Sequence, residues 1–100
     1  MEYMLNWSSR ALAHLKSVES YIAEDSSFHA KRVVREIIDH AENLKTFPEM
    51  GHVLPDFPHL GLRQLIKHSY RIIYSFNNDV VTIVAVVHGK RKYIEAFLKN

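Results

Sequence analysis

The sequence predicts a two-layer α+β domain in which a helical hairpin covers one face of a mainly antiparallel sheet. Three observations predict it. Two amphipathic stretches with three- and four-residue apolar spacing follow each other closely in the first 45 residues. Three segments rich in β-branched and aromatic residues then fill positions 62 to 87. Between them, residues 48–61 hold all three prolines and two of the three glycines, which reads as one loop. Helices and strands segregated in this way must bury their apolar sides against each other, and one layer on another is the economical solution.

Each element has its own warrant. Met1 to Trp7 alternates, with Tyr3, Leu5 and Trp7 on one side, and reads as a short strand. Ser8 or Ser9 can accept a hydrogen bond from a free N–H of the next helix. That helix carries Ala11, Leu15, Val18 and Ile22 as one stripe. Glu24-Asp25-Ser26-Ser27 breaks it and supplies cap oxygens for a second helix. There Ala30, Val33, Val34, Ile37, Ile38, Ala41 and Leu44 form the apolar face, opposite Lys31, Arg32, Arg35, Asp39 and Glu42. Pro48 ends it, because proline has no N–H and disfavours helix in the residue before it. The short break implies an antiparallel pair of helices.

Beyond the loop, Leu62–Lys67, Tyr70–Phe76 and Val80–Val87 read as strands, the last two joined by a tight turn at Asn77-Asn78-Asp79. Tyr70, Ile72, Tyr74 and Phe76 alternate onto the core side, which sends Arg71 to the opposite, more open face. Arg63 is expected to share that face. Val80–Val87 is apolar on both sides apart from Thr82, as a central strand would be. Ile94, Phe97 and Leu98 suggest a short C-terminal helix or docked tail. The whole chain, 1–100, reads as one domain.

Composition narrows the function. There is no Cys, so disulfides, thiol catalysis and cysteine metal sites are excluded, and a reducing cytoplasm suits the chain. No segment reads as a signal peptide or membrane span. Seven histidines stand at 14, 29, 40, 52, 59, 68 and 88, without an i, i+4 pair around a carboxylate. They read as scattered surface residues, with no metal and no cofactor expected. There is no phosphate loop and no nucleophile elbow. The formal net charge is +2, but residues 1–59 carry −3 and residues 60–100 carry +5. That asymmetry favours an acidic partner such as nucleic acid or an acidic protein surface.

The candidate site residues gather at the ends of the predicted strands. Arg63 and Arg71 offer guanidinium groups. His88 ends the last strand and can change charge near neutral pH, which suits a general acid or base. Lys90, Arg91 and Lys92 form a basic turn, and Tyr93 sets an aromatic surface beside it.

Leu62-Arg63-Gln64-Leu65, Ser69-Tyr70-Arg71-Ile72-Ile73-Tyr74 and Val86-Val87-His88-Gly89-Lys90-Arg91 together resemble the RelE/ParE superfamily of bacterial type II toxin–antitoxin systems. Phe47-Pro48-Glu49-Met50-Gly51 is similar to the proline-glycine loop after its helical hairpin. The resemblance spans essentially the whole chain. It implies a cytoplasmic toxin neutralised by a cognate antitoxin and meeting operator DNA only through it. RelE-like members cut mRNA on the ribosome without a metal, whereas ParE-like members bind DNA gyrase and do no chemistry. Arg71 and Arg91 match the two arginines of the nuclease set. The strand lysine pair is unmatched, with Arg63 and Gln64-Leu65 near those places, and Phe97 stands near the nuclease tyrosine. If the chain is a nuclease, its catalytic set would be His88, Arg71, Arg91 and Tyr93. Otherwise Arg63, Arg71, Lys90, Arg91, Lys92 and Tyr93 would bind target or antitoxin. The incomplete set favours a gyrase inhibitor; the alternatives are a ribosome-dependent mRNA endonuclease and a degenerate member that only binds its antitoxin.

Overall fold

The computed structural model describes residues 2–55 and 57–89. Strand β1 (Met4–Trp7) leads into helices α1 (Ser9–Ala23) and α2 (Ser27–Glu42), and a 3₁₀ turn over Asn43–Lys45 ends the helical half. Strands β2 (His52–Val53), β3 (Arg63–Lys67), β4 (Tyr70–Asn77) and β5 (Val80–His88) follow, with a second 3₁₀ turn at Pro58–Leu60. The sheet order is β1-β5-β4-β3-β2. Only the β1–β5 pair among these is parallel, because the helical hairpin carries the chain back before the strands begin.

The caps are Ser8 and Ser26. Ser8 Oγ accepts from Ala11 N–H at 3.0 Å and Ser26 Oγ from His29 N–H at 3.1 Å. Each satisfies one of the donors that a helix start leaves unpaired, a contribution of about 1 kcal/mol. At the β4–β5 turn Asn78 (φ 47°) and Asp79 (φ 66°) both take the left-handed backbone, as a two-residue hairpin turn requires.

The two apolar helix faces meet the sheet as expected. Ala11, Leu15, Val18, Val33, Ile37, Ala41 and Leu44 pack on Leu65, Tyr70, Ile72, Tyr74, Val81, Ile83 and Val86. Tyr3, Leu5, Trp7 and Phe76 border the same core. The opposite sheet face is less open than the sequence suggested. Leu54, with Phe57 and Leu62, folds over Ile73, Ala85 and Val87 as a small second cluster. Thus the loop after α2 roofs part of the sheet, and within it lies β2, too short for any alternation to reveal it. The proposed C-terminal element at Ile94, Phe97 and Leu98 lies outside the described residues. No described helix is long and apolar enough to cross a membrane.

Candidate functional site

Strand register decides which candidate residues meet. Arg71 on β4 lies between Ile66 of β3 and Val87 of β5. It shares their face, away from the helices. It is half-buried. Neither of the two ion pairs among the described residues, Lys45–Glu42 and His68–Glu36, involves it. A structural salt bridge therefore does not account for Arg71 among those residues. Its surroundings are mostly apolar: Ile66 is exposed, Ile73 and Val87 are buried, and Gln64, diagonal to it across β3, is buried with Oε1 lacking a partner.

Arg63 does not share this face, which corrects the sequence expectation. It pairs with Tyr74 and so belongs to the helix side. Its guanidinium donates to Gly51 C=O at 2.8 Å and to Glu49 C=O at 3.3 Å, and lies 5.8 Å from the centre of the Phe76 ring. Beside it, the buried Tyr74 hydroxyl donates to Pro48 C=O at 2.7 Å and accepts from Gly51 N–H at 2.9 Å. Burial pushes the Tyr74 hydroxyl above its ordinary pKa, so it keeps the proton that it donates. A Cβ on Gly51 would stand 2.5 Å from that oxygen and 2.7 Å from Gln64 C=O. Arg63 and Tyr74 thus hold the proline-glycine loop against the sheet.

His88 pairs with Tyr70 on the helix side, its ring edge-on at 5.5 Å. Arg71 and His88 therefore lie on opposite faces of the sheet, and the structure does not bring them into one site. Lys90, Arg91, Lys92 and Tyr93 lie outside the described residues.

His88 instead lines a groove of about 880 Å³ between the hairpin and the sheet. His14 of α1, His29 of α2 and His68 of the β3–β4 turn line it too, over a floor that includes Val18, Val33 and Val86. Among the described residues no Asp or Glu is in its lining. His68 bonds Glu36 at 2.6 Å, which holds the Glu36 carboxyl below its ordinary pKa. Burial, and then Arg10, lower the His14 pKa. Among the described residues no cluster is placed to hold a metal ion. Four of the seven supposedly scattered histidines thus share one site. The signal within reach was His14, which stands beside the α1 apolar stripe.

A helical hairpin on one face of a five-stranded, mostly antiparallel sheet is the architecture of the RelE/ParE class of small toxins. Residues 5–93 match the model of the ParE toxin of type II toxin–antitoxin system, parDE, and the chain belongs to that family. Toxin RelE2 of Caulobacter vibrioides is 31% identical over 86 residues, covering 85% of this chain and 93% of that protein. The fold is similar to the chromosomal ParDE system from P. aeruginosa (TM-score 0.73, 19% identity, covering 87% of this chain and 96% of that one). It is also similar to the RelBE2 toxin–antitoxin complex from Mycobacterium tuberculosis (TM-score 0.67, 19% identity, 88% and 99%). A mutant of E. coli toxin RelE in the free state gives a TM-score of 0.70 at 17% identity, with 98% of this chain and 95% of that one covered. As a member of that family the chain is a toxin of the type II toxin–antitoxin class.

Proposed function

We propose that this toxin acts in the cytoplasm by binding DNA gyrase, without chemistry of its own, and that its antitoxin blocks the surface it uses. The observation that carries the reading is the separation of Arg71 from His88 across the sheet. Cleaving RNA at a 2′-hydroxyl needs a proton acceptor, a proton donor and a cation around a single phosphate. Of the two described histidines that lie in strands, His52 of β2 is the one that register puts on the Arg71 face. It stands two strands away, about 10 Å across the sheet, beyond Gln64. Binding requires none of this chemistry. A half-buried cation ringed by Ile66, Ile73 and Val87 is suited to a protein contact that combines apolar burial with one charge.

The rival is a metal-independent, ribosome-dependent mRNA endonuclease. It draws support from the likeness to toxin RelE2 and would rest on Arg71, Arg91 and Tyr93. Controlled expression with two readouts separates them. A gyrase toxin raises the DNA-damage response and leaves transcripts intact. Early mRNA cleavage without that response overturns the proposal.

A further inference from the structure

We propose that His14 is an acid-sensitive latch, which holds α1 on the edge of β5 while neutral and releases it when protonated. Strand β1 pairs with β5 only at Val80–Ile83. Beyond that point the helix cap Ser8 and a side chain of α1 take over the edge. Ser8 N–H donates to Ile83 C=O at 3.0 Å and the Ser8 hydroxyl to Val84 C=O at 3.4 Å. Farther along α1, Val86 N–H donates to His14 Nδ1 at 3.1 Å. A ring nitrogen that accepts this bond must carry a lone pair, which fixes the neutral tautomer with its proton on Nε2. Imidazolium has two N–H donors and cannot accept. Protonation therefore removes the bond and sets a cation against the buried Val86 and Val18.

The neighbouring groups among the described residues reinforce the neutral form. Arg10 lies one turn back on α1 and opposes a second positive charge. Tyr21 extends from the same helix, His29 from α2, His68 from the β3–β4 turn with Glu36 behind it, Tyr70 from β4 and His88 from β5. Among these, the one carboxylate is already bonded to His68. Because the α1–β5 seam is a wall of the groove, its release widens the groove. The pH thus sets the shape of this surface in the chain by itself, whichever target the toxin has.

Nitrogen-15 NMR on the isolated chain tests this. At pH 7.5 the His14 ring is expected to be the tautomer protonated at Nε2. Between pH 7.5 and 5 the amide-exchange protection of Val86 should fall about tenfold relative to Ile73 in β4, the change one lost hydrogen bond produces. His14→Asn, which keeps an acceptor at the Nδ1 position but does not titrate, should make that ratio independent of pH. A proton on Nδ1 at pH 7.5, or a Val86 ratio that stays constant in the unsubstituted chain, overturns the proposal. Those two readings need no variant, so they stand even where His14→Asn does not fold.

Discussion

Replacing Tyr74 by Phe removes one oxygen and keeps the ring that packs in the core. That oxygen serves two backbone groups, Pro48 C=O at 2.7 Å and Gly51 N–H at 2.9 Å, in residues that are both buried. A buried polar group deprived of its partner costs roughly 1–3 kcal/mol. The loop lies at the surface and its backbone can turn partly to water, so the lower half of that range applies to each, about 2.5 kcal/mol in total. For a domain of this size that lowers Tm by roughly 10–20 °C. Thermal and urea unfolding followed by circular dichroism measure it, with an unchanged urea m-value confirming that the folded state is otherwise intact. A loss under about 0.5 kcal/mol, the range of an ordinary surface substitution, would refute the claim that this phenol anchors the loop.

Three further outcomes follow from the same geometry. Gly51→Ala puts a methyl group against both the Tyr74 oxygen and Gln64 C=O, so it should destabilise by about 1–3 kcal/mol even though alanine is usually the safer backbone residue; equal or greater stability in urea unfolding would contradict it. Arg71→Glu should leave stability within about 1 kcal/mol, since no ion pair is lost among the described residues, while growth inhibition on expression disappears; full toxicity with the reversed charge would remove Arg71 from the target surface. Burial, then Lys67, lowers the His40 pKa below 6.5, so the unfolded chain takes up a proton that the folded chain resists. The stability this provides is complete above pH 6.5 and is lost as pH falls toward the folded-state value. The fall in Tm between pH 7 and 5 should therefore shrink in His40→Gln, and an unchanged fall would exclude His40.

Much of the architecture was legible because it rests on local periodicity. The α1 and α2 stripes, the serine caps and the Asn78-Asp79 turn each follow from a few neighbouring residues. So does the core-facing set Tyr70, Ile72, Tyr74 and Phe76. Pairing between distant segments was less accessible. No pattern marks the two residues of β2, and nothing within Met4–Trp7 states that it will run parallel to β5. The site suffered most from this. Arg63 has the right residue type for a surface cation, but strand register turns it inward to the loop carbonyls. The histidine groove joins positions 14, 29, 68 and 88 from four elements, a proximity that only the folded sheet and hairpin create.

Supercoiling by purified DNA gyrase across a titration of purified toxin, with and without antitoxin, tests the proposed gyrase binding most directly. The account predicts loss of supercoiling with accumulation of cleaved DNA complexes, reversed by antitoxin and retained in His88→Ala. Undiminished supercoiling at saturating toxin would contradict it.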